Sequence, residues 1–555
     1  MSLLARIRPS HRAAHRHALN YPRLPRTSSK VGALVLGHSL AHRGKTVNGY
    51  GYARHGYSHG NNARDAVGAA NAANVAYRRA LRRAIRQQHR AVVNQKLADQ
   101  VLRNNLISAM HGMQKGRAST IAHKMLDFAG LRTEAQQIKA QALAHLPAML
   151  QSFEQQATAH GIKVHYASNG DQVCTILYEL MRSHGVTHVI KGKSMVTEEI
   201  GLGEFLRARG IELEASDLGD LIVHLMDEPP VHILGPSLHL NRYEIGHVFA
   251  EKLHVPETHD VHELNAIARH HLREGFKGLK MGLSGVNFAT AAEGAIWLVE
   301  NEGNGRMCTT SPEIYVALCG IEKLVPDLES ATLLSHILTP SANGQFFPAY
   351  NNIITGPRRE NELDGPHEVH IILIDNGRTN LYADPELQAA LRCLRCSACM
   401  NFCPIFDKLG GHAYLSTYPG PIGTVISPLM RSMDDCDHLL TLCSLCGRCA
   451  EVCPERIPLH HLIRTLRARA LQSPVVQNTT SARAQRLLMR LFARAATSGQ
   501  LWTLLLAKGH TLDLLLQKLG PRMPVLRAWA SQKSLPRMSS NFYAALKELP
   551  ELTVE

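Results

Sequence analysis

At 555 residues the chain has room for two to four domains, each with its own core. Its formal charge of +15 is unevenly placed: residues 1–64 hold eleven Lys or Arg and no Asp or Glu, leaving 50 basic against 46 acidic side chains in the rest. A nearly neutral body without a clustered basic stripe excludes a nucleic-acid groove, and no stretch supplies the roughly 20 apolar residues of a membrane span.

Residues 1–64 are rich in His, Gly and Ser and lack apolar periodicity. They read as a disordered basic extension. A transit-like leader for organellar import and a wrongly assigned start would each give the same composition. Residues 65–160 form a helical region, with apolar residues at helical spacing from Tyr77 to Leu106 and again from Ala135 to Ala157. Residues 161–382 alternate short β-rich runs with helical segments, which predicts an α/β domain with a parallel sheet. The runs are Lys163 to Tyr166, His188 to Lys191, Ile211 to Glu214, His232 to Leu234, Met281 to Val286, Ala295 to Val299 and His370 to Ile374. Residues 383–470 are expected to be an all-helical module, with helices at Pro385 to Leu394 and Ile457 to Ala470. Residues 471–555 read as helical, interrupted by Pro521, Pro524 and Pro536. Within them Leu501 to Leu519 is the most apolar stretch, broken by Lys508, His510, Asp513 and Lys518, and a packed core helix is expected there in preference to a face for a partner or a membrane surface.

Eight of twelve cysteines lie in two copies of C-x2-C-x2-C-x3-C-P: Cys393, Cys396, Cys399, Cys403 and Cys443, Cys446, Cys449, Cys453. That is the run by which bacterial-type ferredoxins hold [4Fe–4S] clusters, the fourth cysteine ligating the other cluster. Two [4Fe–4S] clusters are expected, one on Cys393, Cys396, Cys399 and Cys453, the other on Cys403, Cys443, Cys446 and Cys449. Structural zinc needs only two C-x2-C knuckles around one ion, and disulfides need an oxidising compartment. No secretory signal opens the chain, so a cytoplasmic or matrix location fits better. Cys174, Cys308, Cys319 and Cys436 stand singly and read as small hydrophobes. Arg392, Arg395 and Arg448 flank the runs, either to raise potentials and dock an acidic partner or as ordinary surface charges.

Two patches in the α/β domain are candidates for a ligand pocket. Lys193, Ser194, Thr197 and Glu198 follow a strand and open a helix, where backbone amides can hold an anion; an ordinary Ser194 cap explains the pattern equally well. Glu293 and the turn containing Arg306 flank the run Ala295 to Val299, and simple turn chemistry is the alternative. Neither patch holds a nucleophile and base, so no catalytic residue is assigned, and P-loop and dinucleotide spacings are absent.

The segments KSMVTEEIG (193–201), SDLGD (216–220), NEGNGRMCTT (301–310), TGPRR (355–359), LIDNGR (373–378), YPGPIG (418–423) and the two cysteine runs stand in an order that resembles the lactate-utilization protein B family over roughly residues 81–545. The resemblance implies an α/β LUD domain of the CoA-transferase and ribose-phosphate-isomerase type, a two-cluster ferredoxin module and a C-terminal helical region. It implies an iron–sulfur electron-transfer subunit in the oxidation of L-lactate to pyruvate, allowing growth on lactate. Its partners would be LutA-like and LutC-like subunits and an electron acceptor such as the quinone pool, reached indirectly, with membrane association only through those partners. The alternatives are a redox-sensing enzyme whose LUD domain binds a CoA-like or phosphorylated ligand, and a scaffold subunit of a 2-hydroxy-acid dehydrogenase complex.

Overall fold

The computed structural model describes residues 64–477 and 480–519. The basic extension up to residue 63 and the proline-interrupted segment from residue 520 lie outside the described residues. The chain divides into two units between Ala470 and Leu471.

Four helices open the first unit: α1 (Arg64–Ala98), α2 (Gln100–Lys124), α3 (Phe128–Ala144) and α4 (Leu146–Ala159). The two long helical segments expected here are each broken. Asp99 ends the first by accepting the Leu102 amide as an N-cap, and Pro147, in the first turn of α4, starts a new helix after His145. Arg82 and Arg86 of α1 reach Asp437 at 2.5 and 2.9 Å, which ties this helix to the cysteine-bearing module.

The α/β domain holds ten strands. Six form a wholly parallel sheet in the order β1 (Lys163–Ala167), β10 (Glu368–Ile374), β7 (Ile314–Gly320), β4 (Met281–Gly285), β2 (His188–Lys191), β3 (Glu212–Ala215). One face packs Leu146, Leu150 and Phe153 of α4 against Tyr315, Ile371 and Leu373. The other packs Val173, Leu177 and Leu206 against Leu283, Val316 and Ile372. With both faces covered, β7 is buried at all seven positions, as parallel strands are. Phe153 is fully enclosed, and its replacement by Ala would cost about 3–5 kcal/mol.

A second sheet, β8 (Leu324–Val325), β5 (Phe288–Thr290), β6 (Ala295–Glu300), β9 (Tyr350–Ile354), leans on the helix Leu328–Asn343. The runs read at 281–286 and 295–299 therefore belong to different sheets. The run at 232–234 is not a strand: it lies between Pro230 and Gly235, and His232 turns inward to Asn401 Oδ1 at 2.9 Å.

From Gln388 to Ala470 every element is a short helix or 3₁₀ turn, closing with Leu459–Ala470. The segment read as a helix from Pro385 is only a 3₁₀ turn, Gln388–Arg392. Phe406, Tyr414, Ile422, Leu439, Ile463 and Leu466 form the module's core, joined by Met110 of α2 and Leu143 of α3.

In the second unit the stretch from Leu501 to Leu519 is not one packed helix. Gly499–Ala507 and Gly509–Leu519 meet at Lys508, and the first buries none of its residues. Leu487, Leu491 and Phe492 of the helix Thr480–Ala496 are likewise exposed. No helix among the described residues is long and apolar enough to cross a membrane.

Candidate metal centre

The two cysteine runs fold into the same loop twice. Arg395 and Ser397 take φ of 63° in the first run, and Leu445 and Gly447 take 57° and 82° at the matching places in the second. Three of these four are not glycine, and the left-handed conformation costs each roughly 1–2 kcal/mol. The turn that results curls amides and thiols toward a common centre. The Arg395 amide donates to Cys393 Sγ at 3.4 Å, and the Leu445 amide to Cys443 Sγ at 3.3 Å. Past each Cys-Pro the chain turns its amides back: those of Ile405 and Phe406 toward Cys403, those of Glu455 and Ile457 toward Cys453.

The sulfurs gather into two sets, and each set draws on both runs. Burial pushes the Cys399 thiol well up, and its neighbours Cys393, Cys396 and Cys453, with Cys449 beyond them, push it further. Cys449 feels Cys403, Cys443 and Cys446, and these four line one cleft with Phe402, Pro421 and His460. Burial, reinforced by neighbouring sulfurs, pushes Cys396 and Cys449 up to about 12. Their ligand form, the thiolate, therefore depends on the positive charge of a bound metal centre. Cys308 and Cys319, buried singly, are raised to about 12 by desolvation.

The surroundings of the two sets differ. Around the first, Arg132 donates to the Cys453 carbonyl at 2.7 Å, and Arg117 reaches the Val452 carbonyl at 3.1 Å. Arg395 is largely buried and lies over the Tyr418 ring at 4.7 Å. Arg392 is half-buried near Glu455 and Cys453, whereas Arg448 is the surface charge anticipated, paired with Glu451 at 2.7 Å. Around the second set, Arg467 holds the Cys443 carbonyl at 2.5 Å, and Cys446 is exposed.

A buried ionic network joins the first set to the parallel sheet, and sequence inspection missed it. Arg378, 1% exposed, grips Glu199 with two bonds of 2.9 Å and Glu322 with one of 2.5 Å. Glu322 also meets Arg395 at 3.5 Å, and the Tyr418 hydroxyl donates to Glu199 at 2.6 Å. The guanidinium groups hold the Glu322 carboxyl down to about 2 against the opposing effect of burial, the largest single influence on it. The signal was present only as scattered letters: Glu199 in KSMVTEEIG, Arg378 in LIDNGR, Tyr418 in YPGPIG.

The residues considered for a pocket separate. Lys193, Ser194 and Thr197 sit at the carboxyl end of β2, where Lys193 Nζ meets Asp217 at 2.8 Å and Thr197 Oγ1 donates to the Ser194 carbonyl at 2.6 Å. Ser194 stands at the N-cap of the helix Met195–Glu199 as expected, but its hydroxyl makes no cap bond and is buried without a partner. Beside it Lys191 pairs with Glu198 at 2.8 Å, and burial pushes the nearby Asp220 carboxyl up to about 6. Gly192 abuts Gly305, which brings to this patch the exposed Arg306, carried by the helix Asn304–Thr310 and not by the turn expected. Glu293 lies elsewhere, in the turn between β5 and β6, where it accepts the Leu328 amide at 3.2 Å.

A LUD domain model matches residues 150–374, a 4Fe-4S dicluster domain model residues 389–457, and a model of the lactate utilisation protein B C-terminal region residues 465–550. A parallel α/β domain carrying a cysteine-lined dicluster module defines an iron–sulfur protein of the electron-carrier class. Lactate utilization protein B of Macrococcus caseolyticus is 37% identical over 452 residues, covering 80% of this chain and 93% of that protein. The same-named protein of Bacillus subtilis is 36% identical over 74% of this chain and 85% of its own. An electron transport protein of Escherichia coli, YkgF, is 36% identical over 80% of this chain and 93% of its own. The chain belongs to the lactate utilization protein B family.

Proposed function

We propose that this chain is the iron–sulfur electron-carrying subunit of a system that oxidises L-lactate to pyruvate. The observation that carries the proposal is how the two runs lie against each other, Cys453 near Cys393, Cys396 and Cys399, and Cys403 near Cys443, Cys446 and Cys449. Cys393, Cys396, Cys399 and Cys453 hold one [4Fe–4S] cluster; Cys403, Cys443, Cys446 and Cys449 hold the second. When bound, these clusters supply one-electron carriers, and no side chain of this chain makes or breaks a bond. The residues bind and tune: amides aimed at sulfur and the cations Arg117 and Arg395 favour the reduced state, while Leu394 and Val452 keep water from the first set. The exposed Cys446 makes the second set the side at which electrons are exchanged with other proteins.

On this reading residues 161–382 have the CoA-transferase and ribose-phosphate-isomerase type of fold, 383–470 are an all-helical ferredoxin, and 471–555 are a helical extension. The partners are the other two subunits of the lactate system and an acceptor that delivers to the quinone pool, with the chain at work in the cytoplasm. Anaerobic purification with iron and sulfide analysis and EPR tests it. Two reducible [4Fe–4S] signatures are expected, reduced by lactate once the partner subunits are added; near-zero iron in folded protein overturns the proposal.

One observation favours a second role for the LUD domain. The buried Ser194 hydroxyl lacks a partner and lies beside Lys193 at the carboxyl end of a parallel strand, where α/β sheets take ligands. A CoA-like or phosphorylated molecule suits that chemistry, and calorimetry with coenzyme A on wild type and Lys193→Ala tests it.

A further inference from the structure

The second unit carries an exposed apolar surface. In the helix Thr480–Ala496, Leu487, Leu488, Met489, Leu491 and Phe492 are 53–61% exposed. In the next helix, Gly499–Ala507, Leu501, Trp502, Leu504 and Leu505 are exposed and no residue is buried. Phe492 and Trp502 meet edge to face at 6.2 Å, and the Ser498 hydroxyl caps the second helix by accepting the Leu501 amide, so the two apolar surfaces adjoin. A single exposed leucine needs no explanation, but a continuous patch of this kind marks an interaction site.

The same segment is basic. Residues 480–512 hold five Lys or Arg and no Asp or Glu. Arg483, Arg490 and Arg494 are exposed and recur at intervals of seven and four residues, which sets them along one side of Thr480–Ala496. Leu488 and Phe492, four residues apart, fall on the opposite side. Arginines on one side, with Leu, Met, Phe and a neighbouring Trp on the other, are the composition of a helix that lies in the plane of a bilayer interface. At 17 residues with four arginines this helix is too short and too charged to span one. Leu487, Leu488 and Met489 are consecutive and all exposed, so the apolar arc is wider than the single stripe that a protein groove grips. A fluid acyl boundary accepts a wide arc, and acidic lipid headgroups match the basic row beside it.

We propose that residues 480–507 lie flat on an anionic lipid surface, with Leu488, Phe492 and Trp502 at the acyl boundary and Arg483, Arg490 and Arg494 among the headgroups, so that the chain binds a membrane directly. This goes beyond the electron-carrier reading, in which partner subunits supply any membrane contact. The attraction is part apolar and part electrostatic, and the electrostatic part weakens as salt is raised.

The test uses full-length protein purified anaerobically and sedimented with vesicles of phosphatidylcholine alone or mixed with phosphatidylglycerol, with iron measured in every sample. The wild type should sediment with the mixed vesicles, come off them as salt is raised, and bind phosphatidylcholine alone far less. Arg490→Gln with Arg494→Gln should weaken binding by roughly 25-fold, about fivefold per arginine. Leu488→Ser with Phe492→Ser should abolish it. All four side chains are exposed, so iron content and helicity should hold in both double variants. Brominated phosphatidylglycerol should quench tryptophan emission more in the wild type than in Trp502→Phe. No sedimentation with either vesicle, equal sedimentation with both, or wild-type binding in both double variants overturns the proposal. A dimer or a complex with a lactate-system subunit that Leu488→Ser with Phe492→Ser dissolves, while vesicles go unbound, also overturns it and marks a protein-docking face. Because iron is measured in the same samples, failure here is distinguishable from failure of the electron-carrier reading.

Discussion

The two cysteine sets have the same loop geometry and opposite environments. The set around Cys399 is enclosed by buried cations and wired through Glu322 and Arg378 to the parallel sheet. The set around Cys449 opens into a cleft with Cys446 at the surface and no comparable ionic network among the described residues. Identical sequence motifs thus fix only where sulfur points. What surrounds the sulfur comes from distant parts of the chain and decides which set is insulated and which is reachable.

The strongest way to break this contrast is to remove one thiol from each side. Cys396→Ser and Cys446→Ser should each lower bound iron to about half, but Cys396→Ser should also lower the thermal midpoint more, since its loop is part of a buried core. Equal midpoints in the two variants would show that the enclosed set is no better supported. Next in size, Arg378→Met strands Glu199 and Glu322 as buried charges and should cost about 3–5 kcal/mol in denaturant unfolding.

Acid sharpens the same comparison. The Glu322 carboxyl is held at about 2 in the fold against an ordinary value of 4.5, so its contribution is present above pH 4.5 and is lost as pH falls toward 2. The depression corresponds to about 3 kcal/mol. A pH series of unfolding should show that loss in the wild type and a flatter acid limb in Glu322→Gln. Smallest in stability terms is the pair of arginines that flank the runs. Arg395→Gln should lower the potential of the enclosed centre in an EPR-monitored redox titration without moving the other. Arg448→Ala, at an exposed ion pair, should change stability by less than about 1 kcal/mol and neither potential.

The cysteine-bearing module was legible because ligand spacing is local: three thiols within seven residues must share one turn. The network was not, because Glu199, Glu322, Arg378 and Tyr418 meet only after the sheet and the module are packed together. Strand β7 escaped notice for a different reason. Its run IYVALCG is apolar throughout, and a strand buried on both faces lacks the alternation that marks half-buried ones. The run at 232–234 failed in the opposite sense, being β-like in composition but confined by Pro230 and Gly235 and committed to Asn401. Glu293 looked like a pocket residue because glycine-rich turns are common to pockets and helix caps, and the fold uses it as a cap.

On the proposed cluster assignment, in which the runs exchange their fourth cysteines, the order of the ligands along the chain bears on how the protein matures. Joining Cys453 to the first run draws the segment between the runs into a loop, and joining Cys403 to the second closes a smaller loop nested inside it. Whichever centre is filled first removes most of the closure entropy that the other would face. In the wild type, filling one centre should therefore ease filling of the other during metal-limited synthesis.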